Sequence, residues 1–339
     1  MIKYKTNTIR KDIFRSAVLF SPHPNSTFRF FSVYSIAETQ LNPLWITGFT
    51  DAEGCFTIIV SKLPSQKYKI TTSFEINLHL KDSLILYKIQ SFFKVGHINI
   101  RKDKHLAVYR VTKRTDLINT IIPFFQQFPL LTAKYNDYIL WKDVVHLMEN
   151  GAHKTEDGFN LILSSYASIN RGTKGKKVLT SFPYLIPTVK EKTPSLPLQL
   201  NPYWVSGFVA GDGGFHVNLR KKDETKVDYS FSITQHNKDL KLMNLFIDFF
   251  KCGSVLNREK YKRCDYTVQD KNNLLMNIIP HFNKFSLQNL KELDFIEFKE
   301  IMLIISNKNH LKEEGLNKIK ELIQNTKKRR DSNYEGIKE

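Results

Sequence analysis

The sequence is poor in cysteine, in acidic residues and in long apolar runs. Its three cysteines (Cys55, Cys252 and Cys264) form no CxxC pair, which excludes a disulfide scaffold and argues against a zinc ribbon. No apolar run reaches the roughly 18 residues of a membrane span, so we expect none. The 33 acids are outnumbered by 51 cations, and the net charge of +18 indicates a polyanionic partner, either nucleic acid or an anionic membrane surface.

The first forty residues differ in composition from the rest. Their six cations face only two acids, Asp12 and Glu38, and serine and phenylalanine recur along them. This composition is typical of a mitochondrial transit peptide, so we predict that residues 1–40 are a targeting segment and that the protein acts in the mitochondrion. The alternative is a disordered basic leader or the translated end of an upstream reading frame. In either case 18 − 4 leaves a charge of +14 for the remainder.

The remainder of the chain contains an internal repeat. Residues 41–49 recur as residues 200–208, at an offset of 159. Further along, the offset is a constant 157, as in the pairs His79/His236, Asp82/Asp239, Pro123/Pro280, Lys134/Lys291 and His153/His310. A constant offset over this length indicates two copies of one domain.

This duplication predicts the domain organisation. We expect an N-terminal repeat over residues 41–163, a linker over 164–199, a C-terminal repeat over 200–326 and a basic, disordered tail over 327–339. The proline-rich linker should be extended, and it lets both repeats pair within one monomer. In each repeat the apolar pattern predicts helix, strand pair, helix, strand pair and final helices, which is an α+β fold. Pro123 and Pro280 should end or kink their helices.

Each repeat opens with a helix that carries small residues four positions apart. These are Gly48 and Ala52 in the first repeat, and Gly207 and Gly211 in the second. Small residues at this spacing lie on one face of a helix and let two helix backbones approach closely. We therefore expect the two opening helices to pack against each other.

Each opening helix ends at an acid, Glu53 or Asp212, followed by glycine. Glycine is a common helix stop, but an acid here meets the negative end of the helix dipole. If the helices pair by pseudo-twofold symmetry, the two carboxylates lie side by side and need a divalent metal or a shared proton. The alternative is an exposed acidic cap, but its recurrence in both repeats favours the metal. Asp51 has Ala210 as its counterpart, and we interpret it as structural or peripheral.

These two segments, Gly48-Phe-Thr-Asp-Ala-Glu53-Gly and Gly207-Phe-Val-Ala-Gly-Asp212-Gly, resemble the motifs of the LAGLIDADG homing endonucleases. The resemblance is to the single-chain, two-motif form common in fungal mitochondrial introns, and it covers residues 41–326. It implies two tandem, pseudo-twofold-related αββαββα units that form a DNA-binding saddle. It also implies that Glu53 and Asp212 bind Mg²⁺, and that the enzyme makes a staggered double-strand break at a long asymmetric target, which promotes intron homing.

Within that fold, strand alternation predicts which side chains point away from the helices and toward double-stranded DNA. In the first repeat these are Thr57, Ile59, Ser61, Glu75 and Asn77. In the second repeat they are His216, Asn218, Arg220, Lys222, Ser232 and Thr234.

The resemblance also implies auxiliary catalytic residues. Gln235 stands at the end of a second strand, where the first repeat has Leu78. Lys134 and Lys291 follow the third helix, where a lysine near the phosphate can stabilise transition-state charge; the alternative is an ordinary surface lysine. The paired histidines His79, His236, His153 and His310 are interpreted as structural or as phosphate contacts, because histidine suits zinc better than Mg²⁺.

The main alternative function is that of an RNA maturase. Such a protein has the same fold and assists splicing of its host group I intron, either alone or as a second function. It would not need the two acids, so the presence of Glu53 and Asp212 favours DNA cleavage. A third alternative, a nuclear-encoded binder of nucleic acid, is suggested only by the amino-terminal segment.

Overall fold

The computed structural model describes residues 40–65, 67–170, 175–190, 194–220 and 223–331. The predicted targeting segment, apart from Gln40, lies outside these ranges, as does the predicted DNA-contacting residue Lys222. The fold is α+β, as predicted, and the elements follow the same order in both repeats. Over the described ranges, no helix is both long enough and apolar enough to cross a membrane.

The N-terminal repeat follows the predicted order of elements. These are α1 (Pro43–Glu53), β1 (Gly54–Lys62), β2 (Tyr68–His79), α2 (Ser83–Phe93), β3 (His97–Arg101), β4 (Leu106–Val111), α3 (residues 114–127), α4 (Lys134–Glu149) and α5 (Glu156–Ser168). A short helix, α6 (Gly175–Ser181), follows in the linker.

The C-terminal repeat has the same succession. Its elements are α7 (Pro202–Asp212), β5 (Gly213–Arg220), β6 (Asp223–His236), α8 (Leu240–Phe250), β7 (Ser254–Arg258), β8 (Arg263–Val268), α9 (residues 271–284), α10 (Lys291–Ser306) and α11 (Glu313–Arg330). Single 3-10 turns, Leu80–Asp82 and Asn237–Asp239, precede α2 and α8.

Both opening helices begin for the same local reason. The Asn42 side chain accepts a hydrogen bond from the Leu44 N–H at 2.9 Å, and Pro43 occupies the first turn of α1. Asn201 accepts from the Tyr203 N–H at 2.9 Å in the same way in α7. An asparagine cap followed by proline satisfies a free N–H group and presets the backbone for a helix.

Each repeat folds its four strands into an antiparallel sheet of identical topology. The strand orders are β1-β2-β4-β3 and β5-β6-β8-β7. On the inner face Phe56 lies opposite Phe74, and Phe215 lies opposite Phe231. Phe56 also packs against Trp141 of α4, with ring centroids 5.1 Å apart. Aromatic burial of this kind stabilises a helix on the inner face of the sheet and leaves the outer face uncovered.

The two prolines do not end their helices. In α3 the Ile122 N–H donates to the Leu117 carbonyl five residues back, forming a π turn directly before Pro123. The same π turn, Leu274–Ile278, precedes Pro280 in α9. Since proline has no N–H to donate, the wider turn accommodates it and the helix continues. Of the two predicted outcomes, an end or an irregularity, the structure has the irregularity at both prolines.

The linker and the tail contain more helix than the composition suggests. Helix α5 extends to Ser168, and α6 lies within the segment expected to be extended. Val178 and Leu185 are buried there against Leu163, in a small separate core. Helix α11 likewise continues to Arg330, inside the segment expected to be disordered. In the linker a few apolar side chains provide a buried face that local composition does not reveal, whereas the tail continues a helix whose buried residues, Ile319, Leu322 and Ile323, precede it.

Candidate functional site

The opening helices α1 and α7 pack through their glycines. A Cβ atom added to Gly48 would lie 2.1 Å from the Trp204 carbonyl oxygen, and one added to Gly207 would lie 2.0 Å from that of Trp45. No real Cβ makes contacts this short, so only glycine permits this crossing. The predicted close approach of the two helices is confirmed.

The crossing places the carboxyl-terminal ends of both helices together. Glu53 is the last residue of α1 and Asp212 the last of α7, and both are half-buried. A Cβ on Gly211 would lie 2.3 Å from the Cβ of Ala52 and 3.4 Å from Oε1 of Glu53. The Glu53 side chain therefore lies against the opposite helix, one residue away from Asp212.

Lys134 and Lys291 reach these same helix ends. The Lys134 ammonium donates to the carbonyls of Thr50 at 2.9 Å and Ala52 at 3.1 Å. The Lys291 ammonium donates to the carbonyls of Val209 at 3.1 Å and Gly211 at 2.5 Å. A cation at the carboxyl end of a helix offsets its negative dipole. The two lysines are therefore part of the site geometry and are not ordinary surface residues.

Burial shifts the pKa values of all four groups toward their neutral forms. Burial, together with the neighbouring Glu53 charge, raises the pKa of Asp212 to about 6. Burial also raises the pKa of Glu53, while the positive charges of Lys291 and Lys134 oppose that rise. Burial lowers the pKa of Lys291 to about 8, and it also lowers the pKa of Lys134. Such mutually perturbed groups are characteristic of functional sites.

Only one of the two acids has an amide partner on the neighbouring strand. The Gln235 side-chain amide donates to the Asp212 carboxylate. Leu78, its counterpart, packs against the apolar core and offers Glu53 no polar group. The two acids therefore share one location but have different surroundings.

The donor set fits a hard divalent cation held by few protein ligands. Two half-buried carboxylates with raised pKa values favour either a bound cation or a retained proton. Among the described residues, no cluster of three or more His, Cys, Asp or Glu side chains could hold a metal. A cation here would need further oxygen ligands from outside the protein, such as water or phosphate.

Sequence comparison identifies the family. A family model described as LAGLIDADG endonuclease matches residues 46–145 and 205–302, which is more than half of the chain and includes both repeats. The chain belongs to the LAGLIDADG endonuclease family. It is 37% identical over 294 residues to probable intron-encoded endonuclease 2 of Neurospora crassa, and 30% identical over 309 residues to probable intron-encoded endonuclease 3 of the same fungus. These matches cover 83% and 88% of this chain but 64% and 57% of the two relatives.

Solved structures show the same single-chain, two-repeat architecture. I-SmaMI bound to an uncleaved DNA target in the presence of calcium ions superposes with a TM-score of 0.78 at 34% identity, covering 83% of this chain and 97% of that one. The LAGLIDADG homing endonuclease I-SmaMI bound to cleaved DNA gives a TM-score of 0.77 at 34% identity, covering 83% and 95%. The fold predicted from the motifs of this LAGLIDADG protein is thereby confirmed.

Most of the predicted DNA-contacting side chains of this LAGLIDADG protein lie on the outer faces of the sheets. Those exposed there are Ile59, Ser61, Asn77, His216, Asn218, Arg220 and Thr234. Thr57 and Ser232 are half-buried, because each hydrogen bonds across its strand pair. The alternation in β1 and β5 follows the predicted parity, with Phe56 and Phe215 buried on the inner face.

Glu75 is the exception among these residues. It lies on the outer face as predicted, but only 6% of it is exposed because Arg110 covers it. The guanidinium makes a two-point ion pair, with Nε 3.0 Å from Oε1 and Nη2 3.2 Å from Oε2, and Ser73 donates to the same carboxylate at 2.6 Å. The group presented outward is therefore Arg110, which the sequence interpretation missed. The sequence signal that could have identified Arg110 is an arginine on the strand next to a predicted DNA-facing acid.

The C-terminal repeat has a similar cluster built from other positions. Asp265 is buried, 7% exposed, and it pairs with Arg258 at 2.8 Å and Arg263 at 3.0 Å. Thr234 donates to the other oxygen of Asp265 at 2.8 Å. Two further arginines that were not predicted are thus held on the outer face of the second sheet.

The remaining motif residues are structural. Asp51 is buried and accepts from the N–H groups of Leu131 and Thr132 and from the Trp204 indole. His79 and His236 each accept from a backbone N–H two residues on, which starts the following 3-10 turn. The interpretation of these residues as structural rather than as metal ligands agrees with this geometry.

Proposed function

We propose that this chain is a site-specific DNA endonuclease that makes a staggered double-strand break at a long asymmetric target by Mg²⁺-dependent phosphodiester hydrolysis. The observation that carries the proposal is the meeting of Glu53 and Asp212 where α1 and α7 end, at the junction of two similar sheets. The proposed catalytic centre lies on the pseudo-twofold axis, between the outer faces of the two sheets. A single centre at this position suits cleavage of both DNA strands at one site.

The two acids are proposed to hold the metal ions against the scissile phosphates. When bound, Mg²⁺ would supply Lewis-acid stabilisation of the phosphate and a water activated for in-line attack. Glu53 and Asp212 would hold those ions, and the Gln235 amide fixes the rotation of the Asp212 carboxylate. The raised pKa values imply that the acids need a cation to remain ionised together.

The two lysines are proposed to complete the charge balance. Lys134 and Lys291 bring two positive charges close to two carboxylates that would otherwise repel phosphate. Their hydrogen bonds to helix carbonyls hold the ammonium groups in place, so that they need no reorganisation when charge develops on the phosphate.

Target recognition is proposed to rest on the outer faces of both sheets. The exposed polar residues Asn77, His216, Asn218 and Arg220 can bond to base edges or phosphates. Arg110, Arg258 and Arg263 add forked donors already held by buried acids. Since the two faces differ in side chains, the two halves of the target should differ in sequence.

The biological role is proposed to be intron homing in the mitochondrion. Support comes from the two intron-encoded relatives in Neurospora crassa. This chain spans about three fifths of their length, so whole-protein activity is inferred from the site and not from those names.

Cleavage of a selected target tests the proposal. DNA duplexes from a randomised pool that bind the protein in Ca²⁺ would be recovered and then incubated with Mg²⁺. We expect both strands to be cut at staggered positions, and expect Glu53→Gln and Asp212→Asn each to lower the cleavage rate by at least about a thousandfold. Both variants should still bind the duplex in Ca²⁺, because the recognition faces are unchanged.

The exposed residue Asp248 supplies a matched control, and Asp248→Asn should cleave like the wild type. Unchanged cleavage in both acid variants would rule out the proposed chemistry. If neither protein nor variants cut DNA, yet all of them restored splicing of the host group I intron, the maturase alternative would be correct.

A further inference from the structure

A second pair of acids lies behind the candidate active site. Asp82 and Asp239 are counterparts at the offset of 157, and each ends the 3-10 turn that follows the second strand of its repeat. Asp239 is buried and Asp82 is half-buried. The proposed cleavage chemistry uses neither of them.

Each of these acids bonds to the opposite repeat. Oδ1 of Asp239 accepts from the Ala133 N–H at 2.6 Å, and Oδ1 of Asp82 accepts from the Leu290 N–H at 3.2 Å. Ala133 is the N-cap of α4 and Leu290 is the N-cap of α10. Each carboxylate therefore lies at the amino-terminal end of a helix that belongs to the other repeat.

Neither helix end is capped by the side chain of its own N-cap residue, although at α4 the Thr132 hydroxyl accepts from the Lys134 N–H at 3.3 Å. Neither Ala133 nor Leu290 has a side chain that can accept a hydrogen bond, and the first helical residues are the cations Lys134 and Lys291. The amino end of a helix has free N–H groups and a positive dipole, so a cation there is unfavourable and a carboxylate is favourable. Asp239 and Asp82 each supply a carboxylate from across the interface, in addition to the first-turn acids Asp137 of α4 and Glu292 and Asp294 of α10.

We propose that Asp239 and Asp82 are crossed positioning residues: Asp239 of the C-terminal repeat places Lys134 of the N-terminal repeat, and Asp82 of the N-terminal repeat places Lys291. Neither lysine is then positioned by its own repeat alone, and each half of the site is complete only when the repeats are docked. The consequence for cleavage rests on the proposed function, whereas the crossed hydrogen bonds do not.

The two crossed contacts are unequal. The Asp239 bond is the shorter one and its carboxylate is the more buried. The Asp82 contact is supplemented by the Lys88 ammonium, which donates to Oε1 of Gln288 in the opposite repeat at 3.1 Å. Loss of Asp239 should therefore displace its lysine more than loss of Asp82 does.

Strand-resolved cleavage tests the crossing. With the two strands labelled separately, Lys134→Met and Lys291→Met identify the strand that depends on each lysine. Asp239→Ala should lower the cleavage rate of the Lys134-dependent strand by about tenfold. In double variants this loss should almost disappear when Lys134→Met is already present, and it should be fully additive with the loss caused by Lys291→Met. Asp82→Ala should show the mirror-image pattern, and Asp239→Asn, which keeps the acceptor oxygen, should recover most of the rate.

Amide hydrogen exchange tests the geometry without cleavage. Asp239→Ala should speed exchange at the start of α4 and leave the start of α10 unchanged, and Asp82→Ala should do the reverse. Asp248→Ala is the control and should change neither segment. If the crossed exchange pattern appears in a protein that cuts no DNA, the positioning contacts stand and only the proposed function fails.

Other outcomes overturn the inference. In one such outcome, Asp239→Ala lowers the cleavage rates of both strands equally and speeds amide exchange at the starts of both α4 and α10. That result would indicate a general loosening of the protein. Another is a full added loss on top of Lys134→Met, which would make Asp239 independent of Lys134.

Discussion

In the N-terminal repeat Asp51 holds the loop before Lys134, whereas in the C-terminal repeat Glu292 holds the loop before Lys291. Asp51 accepts from the Leu131 N–H at 2.9 Å, and Glu292 accepts from the Leu287 N–H at 2.7 Å. Their counterparts are Ala210 and Tyr135, which have no carboxylate. The two repeats therefore keep the position of the loop before the lysine while exchanging the residue that fixes it.

The exchange makes the interface between the repeats asymmetric. Asp51 also accepts from the Trp204 indole N–H at 2.9 Å, across the crossing of α1 and α7. The indole nitrogen of Trp45, the counterpart, is buried and has no hydrogen-bond partner among the described residues. Ala210 stands where a second aspartate would have accepted that bond. One side of the interface thus depends on a single carboxylate that the other side lacks.

Asp51→Ala should have the largest effect on stability. It would leave two backbone N–H groups, the Thr132 hydroxyl and the Trp204 indole without their acceptor inside the core, and we expect a loss of about 3–5 kcal/mol in the free energy of unfolding. Urea denaturation measures it. Glu292→Ala, at the corresponding loop, should lose only about 1–3 kcal/mol because it releases two donors. A loss at Glu292 equal to that at Asp51 would contradict the comparison.

Asp212→Asn should stabilise the metal-free protein. Burial raises the pKa of Asp212 from 3.8 to about 6, so the folded state binds this proton more tightly than the unfolded state does. The stability from this group is full below about pH 4 and is lost as the pH rises through about 6. Since the amide resembles the neutral acid, we expect a gain of about 1–3 kcal/mol in the free energy of unfolding near pH 7.5.

Thermal unfolding at two pH values checks this gain. The variant and the wild type should differ little at about pH 3, which is below the pKa of Asp212 in both states. Glu53→Gln, whose carboxyl pKa is raised by the same burial, should behave in the same direction. Destabilisation of both variants near pH 7.5 would mean that ionised carboxylates stabilise the empty site.

Gln235→Leu should make the C-terminal half resemble the N-terminal half. Loss of the amide frees the Asp212 carboxylate to rotate, and we expect about a tenfold lower cleavage rate. Leu78→Gln is the matched exchange in the other repeat and should not lower the rate at the strand served by Asp212. Strand-resolved kinetics measure both, and equal slowing by the two variants would refute a local role for Gln235.

Glu75→Ala should have the smallest of these effects, on DNA affinity. Without the buried carboxylate, Arg110 loses its fixed orientation, and we expect about three- to tenfold weaker binding of the target in Ca²⁺. Asp228→Ala removes the partner of Arg220 in an exposed pair, where binding should change by about twofold or less. Equal losses would show that burial of the acid does not matter for recognition.

The sequence was sufficient for features that depend on local spacing and on the repeat. Glycine spacing predicted the helix crossing, and the acid-glycine ends identified Glu53 and Asp212. Strand alternation predicted the outer faces, because side chains alternate with a period of two. The helix within the linker was missed because it depends on the packing of Val178 and Leu185 against Leu163, and the proline pattern predicted a disturbed helix without indicating that a π turn would accommodate it.

By itself the sequence determined that two similar α+β repeats meet through glycine faces and bring two acids together, because spacing along a helix or strand fixes which side chains share a face. Only the tertiary structure decided which residues hold the lysines, the outer-face arginine and the adjoining loops in place. The crossed bonds of Asp82 and Asp239, the cover that Arg110 forms over Glu75 and the bond of Asp51 to the loop before Lys134 all join segments far apart in the chain. No local pattern contains such contacts, because they form only when strands and helices distant in the sequence are packed together.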